Sequence, residues 1–119
     1  MESTLFRPMK LGTMEVPNRF VRSATHAFMS DDSGELTEEE IRLYERLSRH
    51  GVGMIVTGHA YVRIDGKASV GMVGLDDDEK SEQFARAAER VHAAGPSKLI
   101  AQINHSGAQV NLPDGTKPA

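Results

Sequence analysis

Two short apolar runs constrain this chain more than anything else in it. GVGMIVTG at 51–58 and KLIAQIN at 98–104 are too short for helices. Continuous apolar runs of this length suit strands covered on both faces, as in a parallel sheet. An amphipathic segment precedes each run. In TEEEIRLYERLSRHG, Thr37 and Glu40 have capping-box spacing and acids fill the first turn. Ile41, Leu43, Tyr44 and Leu47 give one apolar face, Arg49 and His50 sit in the last turn, and Gly51 ends the helix. In DDDEKSEQFARAAERVHAAG the start is acidic, Phe84, Ala88 and Val91 share a face, and Gly95-Pro96 stops the helix. Upstream, residues 5–22 alternate apolar and polar around Gly12-Thr13, which predicts a hairpin leading into a strand around Phe20–Ala24. The order strand, helix, strand, helix, strand predicts an α/β protein with parallel strands and right-handed crossovers. A βα barrel and a doubly wound sheet both fit that order.

Polar residues gather at the ends of the predicted strands. The first ends in Ser23-Ala24-Thr25-His26, the second in Thr57-Gly58-His59, and the third carries Gln102 and ends in Asn104-His105. In α/β folds the carboxyl ends of the strands form the ligand-binding face, so these clusters together are a site hypothesis. Taken singly, each has a plainer reading: a strand-end histidine bonded to a carbonyl, or a glutamine satisfying a buried neighbour. His50 and His92 fall on helices and read as surface residues. The segment 59–78 is a long excursion with an Asp65-Gly66 turn, and 105–119 reads as an irregular tail.

Composition narrows the chemistry. A formal net charge of -3 on 119 residues leaves no nucleic-acid footprint. There is no cysteine, which excludes disulfides, zinc–thiolate sites and iron–sulfur ligation within the segment and agrees with a cytoplasmic location. No apolar run approaches the ~18–20 residues of a membrane span, and the start lacks a signal-peptide core. Phosphate loops, GxGxxG after a strand, HExxH and a nucleophile elbow are all missing. Asp76-Asp77-Asp78 reads as a solvated helix start rather than a metal site.

Three ordered segments carry a resemblance: LFRPMKLGTMEVPNRFVRSATH, then GVGMIVTGHAYV with DGK, then AQINHSG. Together they resemble the N-terminal part of the Old Yellow Enzyme family, FMN-dependent NADH:flavin oxidoreductases. The resemblance implies a β-hairpin plus about three βα units of a (β/α)8 TIM barrel, with residues 1–119 incomplete as a domain. It implies hydride transfer from NADH or NADPH through flavin N5 to an electron-poor alkene, an enone or an enoyl thioester. It places Ser23, Ala24, Thr25 and His26 beside the flavin near N5 and O4, with His26 as the catalytic donor. It places Gly58 against the pyrimidine ring and Gln102 in hydrogen bonds to the pyrimidine edge. His59 and His105 line the site. A flat cofactor needs close backbone approach, which small residues permit, and an amide serves both donors and acceptors.

Histidine at position 26 is closest to the 2,4-dienoyl-CoA reductase branch, whose iron–sulfur cluster would lie outside this segment. Two positions depart from the family: Ala108 stands where an arginine is usual, and Thr57 where an acid is common. The implied partners are the C-terminal barrel half or a second chain, a small-molecule alkene, and further copies in an oligomer, with no nucleic acid or membrane. Two rival readings remain. One is a metal-dependent barrel hydrolase with His26, His59 and His105 as ligands, although no HxH pair supports it. The other is a non-catalytic assembly module.

Overall fold

The computed structural model describes residues 3–110. The far end of the predicted tail, 111–119, lies outside the described residues. After a short 3-10 turn at Thr4–Phe6 come β1 (Met9–Leu11), β2 (Met14–Val16), β3 (Val21–Arg22), α1 (Glu38–Arg49), β4 (Met54–Tyr61), a second 3-10 turn (Ile64–Gly66), α2 (Asp78–Ala94) and β5 (Lys98–Asn104). No helix among the described residues is long and apolar enough to cross a membrane.

The hairpin forms where the alternation predicts it. β1 and β2 pair antiparallel, Met9 opposite Val16, and Gly12 takes the turn at φ 61°. The second sheet has the order β3-β4-β5, parallel throughout. Asn18 clips the two parts together: its Nδ2 donates to the Gly51 carbonyl at 2.6 Å and its Oδ1 accepts from the Phe20 amide at 3.1 Å.

Two strand boundaries differ from expectation. The first core strand pairs only over Val21–Arg22, so Ser23–His26 run on outside the ladder. β4 continues through Gly58 and His59 to Tyr61, so Thr57-Gly58-His59 lie within the strand rather than at its end. The reason is pairing: β5 supplies ladder partners as far as Asn104, opposite Tyr61. The Asp65-Gly66 turn is the second 3-10 turn.

Both helices pack on the same side of this sheet. Tyr44 of α1, Val91 of α2 and Ile55 of β4 form the buried core, with Leu36, Leu47, Val52 and Leu99 against them. Thr37 caps α1 by accepting from the Glu40 amide, and Asp77 caps α2 by accepting from the Lys80 amide. Only half of the expected capping box forms, because the Glu40 carboxylate turns inward to Tyr44 and Ser30. The helices are joined outside the core by Arg90, which bonds both Glu38 and Glu45. The acidic triplet is exposed and opens α2 as expected, and Lys80 reaches back to Asp76 at 2.8 Å and Asp77 at 3.0 Å while lying over the Tyr61 ring.

Candidate active site

The site is built where β4 bulges. Val56 pairs with Ile100, but the next matched pair is His59 with Gln102, so Thr57 and Gly58 together face Ala101. A bulge bends its strand and re-aims the side chains beyond it. Here it is held by hydrogen bonds. The Thr57 hydroxyl donates to the Gly58 carbonyl at 3.0 Å, and its oxygen accepts from the Gln102 amide at 3.3 Å. The Gly58 amide donates to the Tyr44 hydroxyl at 3.2 Å.

Glycine is required at position 58 because another backbone passes there. A Cβ on Gly58 would stand 2.9 Å from the Thr25 carbonyl and 3.7 Å from the His26 Cα. The close approach visible in the structure is thus of the 23–26 segment onto β4. It brings the first two polar clusters together, with the His26 and His59 ring centroids 4.8 Å apart, edge to face.

Each ring is held by its surroundings. The His26 Nε2 lies 2.9 Å from the Ser69 hydroxyl, and its face stacks on Phe28 at 3.7 Å. Burial, then the neighbouring His59, hold the His26 imidazole below its usual pKa, with a hydrogen bond to the Val70 backbone opposing. The shift favours the neutral form of the His26 imidazole. Asn104 Nδ2 lies 3.3 Å from His59 Nδ1, within hydrogen-bond distance, while the other ring nitrogen is Nε2. That Nε2 is buried without a hydrogen-bond partner among the described residues.

The long segment after β4 folds back over these strand ends. The Tyr61 amide donates to the Val73 carbonyl at 3.0 Å and the Leu75 amide to the Tyr61 carbonyl at 2.8 Å, the Gly74 amide donates to the Gly34 carbonyl at 2.8 Å, and the Ser106 hydroxyl donates to the Gly66 carbonyl at 2.8 Å. Phe28 adopts a left-handed φ of 55° with its backbone against Gly71. A buried lysine, Lys67, ties the segment to the Asp32 carbonyl at 3.0 Å.

Gln102 stands beside the bulge on β5 with an exposed side chain, and that amide takes no hydrogen bond from the described residues. Its donor and its acceptor are both available at the open edge of the sheet. Ser23 and Thr25 are exposed and Ala24 is half-buried, in the run that leaves β3 beside the same bulge. His105 goes elsewhere: its Nε2 lies 3.4 Å from Asp65 and its ring packs on Gly66. The three histidines therefore do not converge. Among the described residues no group of three or more histidines, cysteines or acids is placed to hold a metal ion, so the hydrolase alternative has no site here.

Sequence reasoning missed three parts of this arrangement. Ser69 carries no signal in the sequence, since only the return of the loop brings it to His26. Phe28 reads as a loop residue. Glu40 and Tyr44 were legible as an i, i+4 pair on one helix, but a capping box and a core face account for the same residues.

Comparison with known proteins bears on this geometry. A sequence profile described as the NADH:flavin oxidoreductase / NADH oxidase family matches residues 4–118. A metal reductase of Desulforamulus reducens is 35% identical over 105 residues, covering 88% of this chain and 15% of that protein. The structure of a 2-naphthoyl-CoA reductase bound to 2-naphthoyl-CoA superposes with a TM-score of 0.85 at 28% identity, over 91% of this chain and 16% of that one. An Old Yellow Enzyme from Pichia shares the fold with a TM-score of 0.85 at 21% identity, over 92% of this chain and 28% of that one. The chain thus spans between 15% and 28% of the lengths of these proteins.

Proposed function

The chain belongs to the NADH:flavin oxidoreductase / NADH oxidase family, and on that premise we propose that it forms part of an FMN-dependent barrel enzyme that reduces an electron-poor alkene with NADH or NADPH. One observation carries the assignment of the site. Gln102 presents an exposed amide, with both donor and acceptor unpaired among the described residues, beside the β4 bulge at the strand ends. A flavin pyrimidine edge, which alternates donors and acceptors, is complementary to that amide. Ser23, Ala24 and Thr25 supply backbone along the same rim, and Gly58 keeps the rim flat by letting Thr25 pass close. When bound, FMN supplies a carrier that accepts hydride from the nicotinamide and gives it to the alkene.

The chain's residues orient and tune. Gln102 fixes the pyrimidine edge. His26, half-buried and with its pKa lowered, is the group proposed beside N5 and O4, where a hydrogen bond stabilises the reduced flavin. His59 lines the site behind it, and His105 holds the loop that borders it through Asp65. Completion by a longer barrel belongs to the same proposal, supported by the small share of its relatives' length that the chain spans, and a cytoplasmic location and an oligomeric assembly are proposed with it.

The test is FMN binding by the full-length protein. Gln102→Leu removes one or two hydrogen bonds and weakens FMN by about 1–3 kcal/mol. An unchanged dissociation constant overturns the contact. For His26→Ala the reading is the flavin potential, expected to fall by tens of millivolts, since ~30 mV of a two-electron couple is ~1.4 kcal/mol. A potential that rises or stays put removes His26 from the flavin edge.

A further inference from the structure

A buried acid on α1 has no part in the site described so far, yet it is wired to it. Glu40 is 2% exposed, in the first turn of the helix. Its Oε1 accepts from the Tyr44 hydroxyl at 2.8 Å and its Oε2 from Ser30 at 3.3 Å. The Tyr44 oxygen in turn accepts from the Gly58 amide, a backbone donor inside the two-residue bulge. Thr57, the other bulge residue, passes the connection to the Gln102 amide on β5. Carboxylate, phenol, bulge and Gln102 backbone thus form one continuous path from helix to site.

The arrangement is specific in its demands. A bulge leaves a backbone amide without a ladder partner, and a buried unpaired donor is costly. A tyrosine hydroxyl can accept from that amide only while its own proton is directed elsewhere, and Glu40 is the acceptor that takes it. We propose that Glu40 and Tyr44 are positioning residues, a strut from α1 that holds the β4 bulge, and so fixes where Gly58, His59 and the Gln102 backbone stand around the cofactor. The inference rests on the reading of these strand ends as the flavin site, and Glu40 and Tyr44 themselves are not among the residues proposed to contact the flavin.

Two variants of the full-length protein test it, read by peptide-resolved hydrogen exchange without FMN and by FMN titration. Tyr44→Phe removes the acceptor for Gly58. Exchange across 54–61 is expected to speed up about tenfold while 78–94 keeps its protection, and FMN binding to weaken about tenfold, the scale of one buried hydrogen bond. Glu40→Gln keeps an acceptor for the tyrosine proton and is expected to retain most of the protection and binding. The strut is overturned if 54–61 exchanges as in the parent protein. It is also overturned if both segments loosen by the same factor, since Tyr44 is then only a core residue. If the parent protein binds no FMN while Tyr44→Phe still loosens 54–61 alone, the strut stands and the flavin reading falls.

Discussion

Glu40 is a carboxyl group that folding strips of water without giving it a cation. Burial raises its pKa above the usual carboxylate value, and the bonds from Tyr44 and Ser30 only partly oppose the rise. A raised folded pKa means that the folded protein holds the proton more tightly than the unfolded chain. The associated stability is complete below the unfolded value near 4.5 and is lost as pH rises through the folded one. Replacing Glu40 with glutamine removes this dependence. Thermal unfolding across a pH series should therefore show the parent losing stability relative to Glu40→Gln as pH climbs from about 4.5 toward neutrality. A difference that stays flat, or runs the other way, shows that the carboxylate is charged at no cost. Gly58 is the second residue whose identity is set by its neighbours. An added methyl stands 2.9 Å from the Thr25 carbonyl, a contact that backbone must yield to relieve. Gly58→Ala should cost about 1–3 kcal/mol, the usual scale of overpacking, and denaturant titration measures it. A neutral substitution would mean that the 23–26 segment moves freely off β4.

Helix α1 shows which parts of an element a sequence discloses. Its start was legible because Thr37 has a local job, accepting the Glu40 amide at 3.3 Å. Thr37→Ala should lower stability by about 1 kcal/mol in the same titration, and no loss would leave the cap idle. Its end at Gly51, the hairpin turn at Gly12 and the span of β5 were legible for the same reason, since each depends on residues close in sequence. The β4 bulge was not. It exists only when β4 and β5 are laid side by side, and nothing in GVGMIVTG says that two residues will face one. The strand end near His59 was misplaced by the same cause: polar residues mark a strand's end in one sequence, but pairing with Asn104 carries the strand to Tyr61. The candidate site divides along this line. Gln102 is visible as a lone amide on an apolar strand. The lowered pKa of His26 is not visible, because it depends on burial and on His59, a neighbour that only folding brings beside it from β4.

At the scale of the molecule, the three-stranded sheet is dressed on one side and bare at its ends. Both helices share a single face through Tyr44, Val91 and Ile55. β3 and β5 are its two edges, each paired on one side only among the described residues. Val21 on one edge is 51% exposed and Ile103 on the other 66%, where parallel sheets bury such residues. An edge of unpaired backbone groups beside apolar side chains recruits another chain. Closing a barrel takes about eight strands at a consistent tilt, so three cannot satisfy these edges by curling. The 119 residues expressed alone should therefore associate with one another or expose surface to the dye ANS, and bind FMN weakly. Sedimentation across a concentration series, with ANS fluorescence and an FMN titration on the same samples, reads all three. A compact monomer that unfolds cooperatively and binds FMN tightly would show that the edges are satisfied from within, and would overturn the placement of this sheet inside a larger barrel.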